Sequence, residues 1–257
     1  MIRILFLGDV VRAEGCDYVR KRLPFLKRQE QADVVIANGE NAAAGNGLTP
    51  QAAAHLFDSG VDVITSGNHV FKRREVYDML DEHSAILRPA NYPDTCPGRG
   101  VCEVDLGRCR LAVLNLMGTV FLEPLENPFF AADRLLKELN TPLIFLDFHA
   151  EATAEKRALG FYLSGRISAL VGTHTHVPTA DETILDGHTA YLTDAGMVGP
   201  EYSVLGVRPE EPIRMMTTHL PVHFQSAEGP CRLDGVCISV EEKTGAATEI
   251  HRVHLIG

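Results

Sequence analysis

Short apolar runs rich in β-branched residues recur along the first two-thirds of the chain, and each stops at a polar cluster. Ile2–Leu7, Val34–Ala37, Val61–Thr65, Leu111–Leu116, Leu143–Phe148 and Ile167–Val171 have the length of buried strands. Helical signals lie between several of them. Thr49-Pro50 places a capping hydroxyl before a proline at the first helical position and opens a helix toward Phe57. Asn127-Pro128 repeats the arrangement ahead of Ala131–Leu139. Thr153 is placed to cap a helix running to Leu163. Pro24 lacks an amide proton and predicts a break that divides Asp17–Arg28 in two. Strands alternating with helices predict a layered α/β fold.

The last third differs. Gly187–Thr193, Gly235–Glu241 and Thr248–Leu255 read as strands joined by turns that close a second part of the sheet. The stretch 196–230 is rich in Pro, Gly and Met and has weak periodicity. A lid, an oligomer contact and an irregular surface loop are all open readings of it. No repeat or low-complexity linker interrupts the 257 residues, which suits a single domain over 1–257 with 196–230 as an insertion.

Composition narrows the setting. Hydrophobic residues at 45% and charged residues at 23% fall in the soluble globular range. No apolar run reaches the ~18 residues that span a bilayer, so no membrane partner is expected. The segment Met1–Gly8 lacks a basic leader and a cleavage site, and it reads as a first strand. The six cysteines form no CxxC pair, which predicts free thiols in a reducing cytoplasm. The net charge is −10, and the densest basic cluster is Lys72-Arg73-Arg74. That balance argues against a long nucleic acid as partner. A small phosphate ester stays open, because bound cations reverse the local field.

The candidate chemistry sits at strand ends. Gly8-Asp9 follows Leu7, and Glu40-Asn41 comes soon after Ala37. Asn68-His69 comes soon after Thr65, His149 follows Phe148, and His174-Thr175-His176 comes soon after Val171. Ligands of open α/β sheets collect at the carboxyl ends of strands. Singly, each residue has a plain reading. Asp9 caps a helix, Glu40-Asn41 is a solvated turn, and His149 is a hydrogen-bonded core histidine. Jointly, five strand ends with metal-capable side chains point to a metal site. His174 and His176 reach one place only if the chain turns there, and Gly172 and Pro178 favour a turn. The donors are oxygen and nitrogen without thiolate, which suits Mn, Fe, Zn or Co. They are too many for one ion and fit two that share a carboxylate, with Glu40 as the bridge. Asp147 and Glu151 are candidates for orienting the histidines. Arg12, Lys72, Arg73 and Arg208 are candidates for phosphate contact.

Six motifs in order, Gly8-Asp9-Val10, Asn38-Gly39-Glu40-Asn41, Gly67-Asn68-His69, Asp147–Glu151, Gly172–His176 and Thr193–Met197, carry a family resemblance. The chain resembles the calcineurin-like metallophosphoesterase superfamily, and within it the YmdB-like branch. Val11 stands where the wider superfamily has its first histidine, and Glu40 stands for its bridging Asp. Both departures agree with that branch. The resemblance implies a four-layer α/β/β/α sandwich. It implies one metal on Asp9, Glu40, Asn41 and His176, and another on Glu40, Asn68, His149 and His174. His69 becomes the general acid. It further implies Fe or Mn ahead of Zn or Co, a phosphodiesterase acting on small nucleotide esters such as 2′,3′-cyclic nucleotides, and a cytoplasmic homo-oligomer of bacterial origin. In the expected reaction, hydroxide bridging two metals attacks phosphorus and His69 protonates the leaving oxygen. The rival readings are a regulator that uses the metal site to meet RNA or protein, an amidohydrolase, and a metal-free binding domain. An amidohydrolase places its His-x-His at the first strand, whereas here the pair comes late.

Overall fold

The computed structural model describes residues 1–257. The first half runs β1 (Ile2–Leu7), β2 (Asp9–Val10), α1 (Arg12–Gln29), β3 (Val34–Asn38), α2 (Pro50–Asp58), β4 (Val63–Thr65), α3 (Tyr77–Glu82), β5 (Val101–Asp105) and β6 (Arg110–Met117). Next come α4 (Pro128–Leu136), β7 (Ile144–His149), α5 (Thr153–Leu163), β8 (Ala169–Thr173), β9 (Thr183–Leu185) and β10 (Thr189–Leu192). The chain closes with β11 (Met197–Pro200), α6 (Glu210–Thr218), β12 (Cys231–Val240) and β13 (Ala247–Ile256).

Two sheets stack face to face. One has the order β2-β11-β12-β1-β3-β4, with β13 on the far edge of β12. The other has the order β5-β6-β7-β8-β10-β9. Strand alternation assigns the layers. Ile2, Ile4 and Phe6 pack between the sheets with Val113 and Phe145, while Leu5 and Leu7 pack on the other face with Val19 and Leu23 of α1 and Leu56 of α2. Leu114, Leu146 and Phe148 pack outward against Ala131 of α4 and Leu159 of α5. The result is a four-layer α/β/β/α sandwich. Both faces of each sheet are covered, which is why the central strands read as continuous apolar runs.

Several local expectations change. α1 runs unbroken through Pro24. Pro24 and Arg20, whose carbonyl loses its partner, are both exposed, on the face of the helix where solvent can take the place of the lost bond. Thr49 and Asn127 cap as expected, accepting from Ala52 N at 3.2 Å and Phe129 N at 2.9 Å. Thr153 does not cap: Ala152 holds that position and Thr153 is already helical. The closing strands do not build one region, because β10 joins the second sheet while β12 and β13 join the first. The segment 196–230 contains β11 and α6. All six cysteines are free thiols, and no helix is long and apolar enough to cross a membrane.

Phe6 and Phe145 bridge the two sheets with ring centroids 5.1 Å apart, and both are fully buried. Phe145→Ala opens a cavity there and is expected to lower unfolding stability by about 3–5 kcal/mol. Urea denaturation measures it, and a loss below about 1 kcal/mol contradicts this packing.

Candidate metal centre

The parallel strands β1, β3, β4, β7 and β8 end on one side of the sandwich, and their polar caps meet there. Asp9 follows β1 and is fixed by donating its amide to Gly196 O at 3.0 Å. A Cβ on Gly8 sits 2.2 Å from that same carbonyl oxygen, so only glycine lets the two segments touch. Gly67 does the same for the β4 loop, where a Cβ lies 2.1 Å from the His149 ring. The turn expected in His174-Thr175-His176 is present. His174 and His176 have φ of 105° and 63°, and both rings then face the cluster. Arg12 has φ of 57°. Asn46 and Leu205, which also line the site cavity, have φ of 69° and 53°, so five non-glycine residues around one site adopt positive φ, at a strain of about 1–3 kcal/mol each.

All eight predicted residues come together. Glu40 Oε1 lies 3.2 Å from His149 Nε2 and 3.2 Å from His69 Nδ1. His149 Nε2 is 3.0 Å from Asn68 Oδ1 and 3.0 Å from His174 Nδ1. On the other side, the Asn41 amide nitrogen contacts Asp9 Oδ1 at 3.2 Å, Glu40 Oε1 at 3.1 Å and His176 Nε2 at 3.2 Å. Rotating that amide by half a turn aims its oxygen at the same three groups, the orientation a cation ligand needs. Glu40 is the one carboxylate common to both groups.

These inward atoms fit cations. Asp9, Glu40 and His149 are buried and the lone pairs converge. Outer partners occupy the other ring nitrogens. His149 Nδ1 is 2.9 Å from Thr173 Oγ1, and His174 Nε2 is 2.9 Å from Glu151. That leaves His149 Nε2 and His174 Nδ1 directed inward. Burial favours the neutral carboxyls, yet His176 holds Asp9 below its usual range, and His149 and His69 hold Glu40 well below its own. Burial disfavours the charged His149, but Glu40 overrides it and pushes the ring up to about 9. His176 is likewise raised, against burial, by Asp9. Burial and the charge of His149 lower His174.

Residues 5–253 match the family described as YmdB-like protein. The chain is 49% identical to the 2′,3′-cyclic-nucleotide 2′-phosphodiesterase of Bacillus subtilis (strain 168), covering 98% of this chain and 96% of that protein. The chain belongs to the YmdB-like family. Two solved structures are similar to this chain at a TM-score of 0.94. One is a hypothetical protein of Thermus thermophilus, 40% identical over 99% of each chain. The other is a novel phosphatase of Mycoplasma pneumoniae, 33% identical over 99% of this chain and 93% of that one.

Sequence reasoning named Asp147 and Glu151 as candidates to orient the histidines of this YmdB-like site, and it missed Thr173, Lys156 and the bracing role of Asp194. Asp147 is not bonded directly to His149. It accepts from Thr173 Oγ1 at 2.7 Å and Asn38 Nδ2 at 3.0 Å, and also from Thr65 Oγ1, so it holds the hydroxyl that in turn faces His149. Burial pushes this carboxyl up to about 6, against the charge of His149. Asp194 accepts from Thr175 N at 3.1 Å and Gly196 N at 2.9 Å, which pins the histidine loop, and it pairs with Lys156 at 2.8 Å. Lys156 and Asp194 are both about 1% exposed. A lysine inside α5 gives no sequence signal of burial, so the pair is visible only in the fold. Of the four basic candidates, Arg12 alone lines the site cavity. Arg73 turns to Asn46 O at 3.1 Å, and Arg208 pairs with Glu228 at 2.7 Å.

Two outcomes follow for measurement. His149 titrates above its ordinary 6.5, so its stabilisation of the metal-free protein is complete below that pH and fades as pH rises toward about 9. The melting temperature in chelator therefore falls across this window, while Mn²⁺ affinity rises as the protons leave. A melting temperature flat or rising from pH 6.5 to 9 contradicts the assignment. Lys156→Met leaves Asp194 buried and unpaired, and it is expected to cost about 3–5 kcal/mol. Chemical denaturation of that variant beside wild type measures it, and equal stability contradicts the brace.

Proposed function

We propose that this phosphoesterase is a two-metal phosphodiesterase that opens 2′,3′-cyclic nucleotides at the 2′ oxygen. The observation that carries the reading is the convergence of five strand ends on Glu40, with His69 beside it in a cavity of about 460 Å³. Asp9, Glu40, Asn41 and His176 would hold one cation, and Glu40, Asn68, His149 and His174 would hold the other. When bound, the cations, Fe or Mn with Zn or Co as alternatives on this oxygen and nitrogen donor set, bring water near neutral acidity and offset charge on the phosphoryl oxygens. The name of the Bacillus subtilis relative, at 49% identity, supports the substrate class.

The chain's own residues do the rest. Glu151 and Thr173 fix the ring orientations of His174 and His149. Nδ1 of His69 is held by Glu40 Oε1 at 3.2 Å, while Nε2 lies 3.3 Å from the side-chain amide of Asn46. Rotating the Asn46 amide by half a turn puts its oxygen on Nε2, and a protonated His69 then carries an Nε2 proton it can give. Water's oxygen forms the new bond to phosphorus as the bond to the ribose 2′ oxygen breaks. His69 gives that oxygen its proton and is reprotonated from solvent, which also takes up the proton the attacking water releases, so charge and protons balance. The product keeps its phosphate on the 3′ oxygen.

Purified protein, stripped by chelation and reloaded with Mn²⁺, is expected to hydrolyse 2′,3′-cyclic AMP. His69→Ala is expected to cut turnover by ~10²–10⁴-fold with metal content intact. Glu40→Ala is expected to lose both metal and turnover. Metal loss in His69→Ala refutes its role as acid, and a fully loaded wild type without turnover refutes the proposed reaction.

A further inference from the structure

The cavity has two unlike halves. Glu40, Asn41, His69, His174 and His176 line one, and Leu205, Val207, Met215 and Phe224 line much of the other. The second half comes from the segment between β11 and β12, to which no role has yet been given. That segment is tied down over the site. Val204 and Val207 exchange backbone hydrogen bonds at 2.9 and 3.1 Å, Ala227 N donates to Gly206 O at 3.1 Å, and Arg208 N donates to Gln225 O at 3.1 Å. Gly206, at φ of 96°, lets the backbone close on Val11, where a Cβ lies 2.4 Å from the Val11 side chain. Val11 sits between Asp9 and α1, so the segment docks on the same turn that carries a site carboxylate.

We infer that this apolar wall is the binding subsite for the base of the nucleotide, an inference that rests on the proposed reaction. A folded wall of Leu, Val, Met and Phe side chains beside a polar centre is costly to leave wetted, and Leu205 is 48% exposed. The whole cavity, at about 460 Å³, falls in the ~300–1,000 Å³ range of small-ligand sites. These side chains offer no hydrogen-bond donor or acceptor to a base edge. Recognition therefore runs through stacking and contact area, as on other base platforms. It favours purines over pyrimidines by size and does not separate adenine from guanine. Arg12 lines the cavity between the two halves, with its guanidinium 3.5 Å from Phe224 O. It is the basic side chain placed to meet the phosphate while the base lies on the wall.

The test compares adenosine 2′,3′-cyclic phosphate with the base-free 1-O-methylribose 2′,3′-cyclic phosphate on the Mn²⁺-loaded protein. The expected result for Phe224→Ala and for Leu205→Ala is a loss of about ten-fold in preference for the adenosine ester, through KM. Phe224→Leu keeps the fold and the apolar character, and it is expected to lose part of that preference. Calorimetric titration with adenosine 3′-monophosphate gives a second reading that needs no turnover, with weaker binding expected in the same variants. Equal changes on both esters, or unchanged nucleotide binding in folded variants, overturn the wall as a base site. If the wild type hydrolyses neither ester yet binds adenosine 3′-monophosphate through Phe224, the proposed reaction fails and the subsite stands.

Discussion

A carboxylate with almost no solvent access, surrounded by imidazole nitrogens, is the constraint on which the molecule is organised. Glu40 is about 1% exposed and faces both His149 and His69. A charge buried this way is tolerable only with compensating positive charge. In the metal-free protein, protonated His149 supplies it. With cations present, the same lone pairs turn to the metal and the proton departs. The sandwich can place such a group because β1, β3, β4, β7 and β8 point the same way, so their loops meet at one end of the stacked sheets.

Holding that cluster draws on the rest of the structure. The backbone bends into left-handed conformations at Arg12, His174 and His176. These bends persist because neighbouring groups fix them: Arg12 N donates to Asn41 O at 2.8 Å, and His174 N donates to Asp9 Oδ2 at 3.0 Å. Behind the clustered side chains, Asp147 and Asp194 act as anchors, one gathering Thr65, Thr173 and Asn38, the other tying the histidine loop to α5 through Lys156. A loosely braced site drifts from the geometry that chemistry requires, and these outer bonds prevent it.

The candidate site was legible in the sequence because each donor follows an apolar run directly or within a few residues, and strand ends of a parallel sheet share one side. The layered class was legible for the same reason, since strands covered on both faces leave continuous apolar signatures. What escaped the sequence depended on distant contacts. Pro24 signals a break, yet α1 runs through it with the proline on the exposed face of the helix. Lys156 reads as a solvated helix residue until Asp194 is seen facing it. The stretch 196–230 has weak periodicity because it is short pieces pinned by glycine contacts and a few backbone bonds, and no hydrophobic repeat records that. Strand β5, with no fully buried residue in its burial pattern, lacked the apolar run that marked the others.

The proposed reaction needs seven side chains to form one centre for two cations that share Glu40. Electron paramagnetic resonance of the chelated protein titrated with Mn²⁺ tests it most directly, because two ions ~3.5–4 Å apart are exchange-coupled. Uptake of two Mn²⁺ per chain with a coupled spectrum is expected, as is loss of the coupling in Glu40→Ala. An isolated, uncoupled Mn²⁺ signal at full loading, or coupling that survives in Glu40→Ala, contradicts it.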